Sequence, residues 1–224
     1  MNIYDKIDWA SFMSRHDLVW DEIPHVWYEA PFLGNGFMGA TVCFNNSGTR
    51  MIINLGHTCI YDNRPIENIH RDDKIYLKPR LPIGKLAMSF SGTVTGVNLR
   101  LDLYNARLCG EITTTEGKVA VDCMIFNNAD CMMIEHNEEG ESVDFNYIPS
   151  IAQSPRYNAG IVDDEEAYAK YGDPRQSKVF TGHGIVSFVQ PYFCGGGFCV
   201  TNARLGNKYF VSVNYNENNT DSLV

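Results

Sequence analysis

The densest grouping of side chains able to do chemistry is Asn54-Leu55-Gly56-His57-Thr58-Cys59-Ile60-Tyr61-Asp62-Asn63-Arg64. It follows an apolar stretch and offers His, Asp, Asn, Arg and Tyr together. Asn and Arg present paired donors that suit sugar hydroxyls, so such a loop can contact a carbohydrate. It can equally satisfy itself, through an Asp62–Arg64 pair and turn hydrogen bonds. His57 is a candidate general base, but no partner for it is identifiable in the sequence. A second polar turn, Leu33-Gly34-Asn35-Gly36, lies upstream between an aromatic lead-in and an apolar strand.

Other patterns point to chemistry less well. Gly34-Asn35-Gly36-Phe37-Met38-Gly39 matches G-x-G-x-x-G, but a dinucleotide site needs a helix after the turn and an acid about 20 residues on. β-prone residues follow here and Asp62 is too distant, so a structural turn is expected. Cys194 and Cys199 flank three glycines. Zinc needs about four ligands, and no second Cys/His pair has suitable spacing, so a hairpin or bulge is the better reading. Glu29, Asp62, Glu67, Glu111 and Glu135 are possible glycosidase carboxylates, and none stands in a distinctive context. No catalytic residue and no metal site is assigned, and no cofactor is implied. Trp9, Trp20 and Trp27 could form a carbohydrate platform. Their apolar bulk favours core or packing of an N-terminal arm.

The elements that must position these groups are mostly strands. Val97, Leu99, Leu101 and Leu103 alternate with Asn98, Arg100 and Asp102, placing apolar residues on one face. The expected strands are Gly39–Phe44, Arg50–Asn54, Gly84–Phe90, Val94–Asp102, Ala106–Thr115, Lys118–Asn127, Cys131–Asn137, Ser142–Ile148, Lys178–Thr181, Gly184–Gln190, Gly197–Arg204 and Tyr209–Tyr215. Turns such as Asn127-Asn128-Ala129-Asp130 and Glu138-Glu139-Gly140-Glu141 separate them. Many strands at short intervals predict an all-β sandwich or barrel. A short helix is expected within Asp5 to His16, with Asp17 to Pro24 leading out as a loop. Pro149 to Gln176 reads as a long surface insertion holding a second short helix, Asp163 to Tyr171. The polar tail after Asn214 reads as a linker.

The chain has 224 residues, is 44% hydrophobic and carries a net charge of -9, which suits one large β domain. An acidic balance argues against non-specific nucleic-acid binding and against an anionic membrane surface. Seven cysteines without a secretory signal predict free thiols and a cytoplasmic setting.

Phe12 to Trp20, followed by Trp27-Tyr28-Glu29-Ala30-Pro31-Phe32-Leu33-Gly34-Asn35-Gly36-Phe37-Met38-Gly39-Ala40, resembles the start of glycoside hydrolase family 95 and its relatives. Leu81-Pro82-Ile83-Gly84-Lys85-Leu86 resembles that family's P-x-G-x-L strand. Leu99 to Ala106 resembles its R-x-L-D-L-x-x-A strand, and Tyr209 to Tyr215 its closing strand. The family's N-E-x-T-x-W loop is replaced here by Asn54-Leu55-Gly56-His57, which marks a divergent branch.

The resemblance implies an N-terminal β-supersandwich over residues 27–215, with residues 1–26 packing on it as an arm and residues 216–224 beginning a linker. A following (α/α)6 barrel would hold the catalytic acid and base, so this chain alone would be silent. The parent would act on a carbohydrate, with fucose or galactose as the sugar of better-known members. Asn35, His57, Asp62 and Arg64 are the expected rim contacts. Met38–Phe44 and Thr49–Leu55 form a hairpin, which returns the chain to one end and should make Asn35 and His57 neighbours. A stand-alone sugar-binding module and a plain interaction domain are the alternatives.

Overall fold

The structure is a computed structural model and describes residues 3–63, 79–153 and 175–223. After a single 3-10 turn, Ile3–Lys6, comes one short helix, α1 (Trp9–Ser14). Asp8 caps it by accepting a hydrogen bond from the Ser11 amide. The described strands are β1 (Leu18–Trp20), β2 (Phe32–Gly34), β3 (Met38–Phe44), β4 (Arg50–His57), β5 (Gly84–Phe90), β6 (Val94–Asp102), β7 (Arg107–Thr114), β8 (Lys118–Ile125), β9 (Cys131–Glu139), β10 (Val143–Ile148), β11 (Lys178–Gly182), β12 (Ile185–Pro191), β13 (Gly197–Leu205) and β14 (Lys208–Asn216).

They form two antiparallel sheets, so the chain is an all-β sandwich. The larger runs β1-β6-β7-β8-β9-β14-β13-β12-β11, and the smaller runs β10-β5-β4-β3-β2. Period-two alternation decides which side chains meet between them. Met38, Ala40, Val42 and Phe44 of β3, with Met51, Ile53 and Leu55 of β4, point inward from the small sheet. Val97, Leu99 and Leu101 of β6, with Val119, Val121, Cys123 and Ile125 of β8, belong to the same buried cluster.

The twelve expected strands are all present, with ends shifted by up to three residues. Two three-residue strands are additional. β1 lies within the expected loop Asp17 to Pro24 and pairs with β6. Asp17 anchors it by accepting from Arg100 Nε at 2.6 Å and from the Leu103 amide at 3.0 Å. β2 pairs with β3 directly across Gly34 and Gly39, so the G-x-G-x-x-G segment is strand, turn and strand.

The N-terminal region departs from the packing expectation. Trp20 lies half-buried against the core, and its indole donates to the Glu29 carbonyl at 2.7 Å. Trp9 and Trp27 are exposed, and α1 buries none of its residues. The tail read as a linker folds back instead: Leu223 is buried beside Val189 and Cys199, and Asn216 Nδ2 donates to Ser222 Oγ. The expected helix Asp163 to Tyr171 lies outside the described residues. The seven cysteines are free thiols. Among the described residues, no helix is long and apolar enough to cross a membrane.

Two of the places where the chain passes between sheets, β5 to β6 and β9 to β10, converge on one carboxylate. Glu141 is buried. It accepts from the Ser91 amide at 2.8 Å, the Gly92 amide at 3.1 Å, the Ser142 amide at 2.7 Å, and the hydroxyls of Ser91 and Thr114. Burial alone would push this carboxyl up. The hydrogen bonds outweigh it and hold the group at about 2.

Candidate functional site

At the opposite end of the sandwich, the β2–β3 turn meets the loop that leaves β4. Asn35 builds that turn. Its side-chain oxygen accepts from the Phe37 and Met38 amides at 2.9 and 2.8 Å, while Gly36 takes φ +95°. The Asn35 amide nitrogen reaches across to the large sheet, donating to the Phe126 carbonyl at 3.0 Å and the Ala129 carbonyl at 3.2 Å.

His57 sits beside it, because Met38 and His57 are directly paired across β3 and β4. Its side chain is 0% exposed. Nδ1 accepts from the Cys59 amide at 3.2 Å, so Nε2 carries the proton. Nε2 lies 3.0 Å from Asp130 Oδ2, with the carboxylate off the N–H axis, so the contact is electrostatic rather than a well-aligned hydrogen bond. Tyr215 covers the ring at a centroid distance of 5.4 Å.

The hairpin therefore brings Asn35 and His57 to one end, and Asp130 joins them from the β8–β9 turn. The chemistry of the group is structural. Both imidazole nitrogens face partners within the fold, which leaves none to take a substrate proton. Asn35 uses both ends of its amide, locking the small sheet to the large one. Asp62 is buried at 2% exposure and does not face solvent. Asn63 ties the same loop to the β12–β13 turn, donating to the Gly195 carbonyl at 2.9 Å and accepting from the Cys194 amide at 3.2 Å. Arg64 lies outside the described residues. Of the expected rim residues, His57 and Asp62 are thus buried, and Asn35 is half-buried with both ends of its amide bonded within the fold.

This latch makes a direct prediction. Asn35→Ala removes two inter-sheet bonds and the turn acceptor, costing about 2 kcal/mol. That corresponds to a fall in Tm of roughly 4–8 °C for a chain of this size. Asn35→Asp keeps the turn acceptor but sets a carboxylate against the two carbonyls and Asp130, and should be at least as damaging. Thermal melts of both variants check this, and a benign Asn35→Asp would remove the amide from its assigned role.

Next to the latch, on the outer face of the small sheet, is an open groove of about 540 Å³. Its floor is a row of three glycines in cross-strand register: Gly34 opposite Gly39, and Gly39 opposite Gly56. None of the three has a positive φ. A Cβ at Gly56 would meet nothing within 4 Å, and one at Gly39 only the Leu33 carbonyl at 3.7 Å. Neither backbone shape nor crowding requires glycine at those two positions, although glycine in a strand costs on the order of 0.5–1 kcal/mol against alanine. The exposed rings of Phe32 and Phe37 stand beside this floor, at 57% and 58% exposure. Thr41, Asn54 and Thr58 supply polar groups, and among the described lining residues Arg80 is the one Lys or Arg and there is no carboxylate.

Sequence reading did not single out this groove. Its signal was present in the glycines at 34, 39 and 56, but register across three strands is needed to see them as one row. No family model and no curated protein matches the chain. The likeness to glycoside hydrolase family 95 rests on the motif residues alone.

Proposed function

We propose that the chain is the non-catalytic N-terminal β-sandwich of a glycoside hydrolase, supporting a following (α/α)6 barrel that cleaves glycosidic bonds. The observation that carries this reading is the N-terminal arm. Tyr4 stacks on Trp9 with ring centroids 6.4 Å apart, Trp9 meets Phe12 edge-on at 5.9 Å, and all three stay exposed. Trp27 and Tyr28 add a second exposed aromatic pair. A helix that buries none of its residues and leaves its aromatic side chains exposed suits a neighbouring surface.

The motif order from Trp27 to Tyr215 supports a hydrolase partner of the family 95 type, with a fucose- or galactose-like sugar. In this reading the Asn35–His57–Asp130 latch holds the sandwich end rigid at the rim of the barrel's pocket. Asn35 and His57 shape that rim through the backbone they fix.

The test is enzymatic. The full-length encoded protein should hydrolyse nitrophenyl α-L-fucoside or α-L-galactoside, while the 224-residue chain alone stays inert. Trp9→Ser with Phe12→Ser should lower the full-length protein's stability and leave the melting of the isolated chain nearly unchanged. The reading fails if the encoding gene stops after Val224, or if the double variant affects both proteins equally.

A further inference from the structure

We propose that the glycine-floored groove on the outer face of the small sheet binds a sugar ring bearing a carboxylate, a uronic acid unit. This site needs no adjoining domain, so it stands apart from the proposal of a following barrel.

The floor is chemically blank. Gly34, Gly39 and Gly56 lie in paired strands, and the ladders β2–β3 and β3–β4 pair their backbone across three neighbouring strands. Three strands at about 4.8 Å spacing give a flat bed roughly 10 Å wide. A surface of this kind accepts the flat C–H face of a ring. A peptide laid over it would find ladder groups already paired. The exposed rings of Phe32 and Phe37 supply the apolar contacts that sugar C–H groups make with aromatic faces.

Polar groups stand at the margin, where ring hydroxyls would project. Among the described residues the Asn54 side chain makes long contacts through its amide nitrogen, 3.4 Å to Thr41 Oγ1 and 3.6 Å to Cys43 Sγ, and its amide oxygen can accept from a ligand. Thr41 and Thr58 add hydroxyls.

The charge selects among sugars. The chain is acidic overall, at -9, yet among the described residues the charged side chain that lines the groove and projects to solvent is Arg80. Arg80 is exposed and forms no ion pair among the described residues. A guanidinium beside a groove with no carboxylate among its described lining residues complements a carboxylate, which it can meet through two parallel N–H donors. The volume of about 540 Å³ lies in the range of small-molecule sites and suits one or two rings.

Titration of the isotope-labelled 224-residue chain with digalacturonate tests this, with neutral galactobiose and benzoate as comparison ligands. Digalacturonate should shift the Gly34, Gly39 and Gly56 amide resonances saturably. Arg80→Gln should weaken it by at least about tenfold, the loss of the paired charge-assisted hydrogen bonds, and bring it to the level of galactobiose. Gly39→Val would fill the floor with a side chain that the strand tolerates, so the shift at Gly56 should vanish while Tm holds or rises. Absence of saturable shifts overturns the proposal, as does binding that survives Gly39→Val. Benzoate binding as tightly as digalacturonate would overturn the sugar assignment, and an unchanged affinity in Arg80→Gln would overturn the carboxylate.

Discussion

Replacing Glu141 with glutamine lowers the melting temperature by roughly 4–8 °C at neutral pH and removes this group's share of the acid limb of the stability curve. The size follows from the environment. Three backbone amides and two hydroxyls converge on one buried carboxylate. Glutamine replaces an acceptor oxygen by an NH2 group that faces donors, so at least one buried donor loses its partner.

The pH dependence gives an independent reading of the same interaction. The carboxyl is held at about 2 in the fold against an ordinary 4.5. Its folded form therefore binds fewer protons than the unfolded chain between these values. Stability from this group is fully present above about pH 4.5 and is lost as pH falls toward 2. A gap of that size is worth on the order of 3 kcal/mol. Solvent at exposed Ser91 and Ser142 screens part of it, so about 2 kcal/mol is the expected effect. Denaturant melts of the parent and of Glu141→Gln should be well separated at pH 7 and converge near pH 2. Curves that stay parallel from pH 7 to pH 2 would show that the carboxylate is not the anchor between the sheets.

Glu141 also shows where sequence reading stops. In Glu138-Glu139-Gly140-Glu141 it looks like one more solvated turn acid, and local pattern offers no reason to bury it. Its partners arrive from Ser91, just past the end of β5, and from Thr114 of β7, 50 and 27 residues away. The strands themselves were legible because alternation such as Val97 to Leu103 is a local property. β1 and β2 were not, since three residues give too little alternation and each sits near a proline or glycine that reads as loop.

The candidate site divides in the same way. The proximity of Asn35 and His57 follows from one tight hairpin. Their burial does not, because Asp130 and the Phe126 and Ala129 carbonyls come from the other sheet. Polar residues concentrated in a loop signal hydrogen-bonding capacity, and sequence cannot say whether a ligand or the protein consumes it. Here the latch consumes it, and the open capacity lies in the groove beside it, on residues dispersed over β2, β3 and β4 and at Thr58 and Arg80.

Gly110→Ala is expected to be the most damaging glycine-to-alanine change among the described residues, destabilising by about 4 kcal/mol or more. Gly110 lies mid-strand in β7, opposite Leu99 of β6 and Val121 of β8, with φ +150°. A Cβ there would sit 2.0 Å from the Asn98 carbonyl oxygen and 2.9 Å from the Leu99 Cα. Both obstacles are backbone of a paired strand, so neither can rotate away as a flexible side chain would. Relief requires breaking part of the β6–β7 ladder over the buried core. With total stability of ordinary domains near 5–15 kcal/mol, a large share of the variant should be unfolded or aggregated at 37 °C.

Gly56→Ala is the control, since its Cβ meets nothing within 4 Å. It should melt at or slightly above the parent temperature, by up to about 1 kcal/mol of added stability. Near-ultraviolet circular dichroism and thermal melts of both variants separate the two cases. A Gly110→Ala protein melting within a few degrees of the parent would mean that β6 and β7 are not packed this closely. The contrast matters beyond stability. Glycine at 110 is imposed by the neighbouring backbone, whereas at 39 and 56 the fold would accept a larger residue. What marks the groove is that Gly39 and Gly56 lie in cross-strand register beside Gly34, so their bare backbone forms one continuous floor.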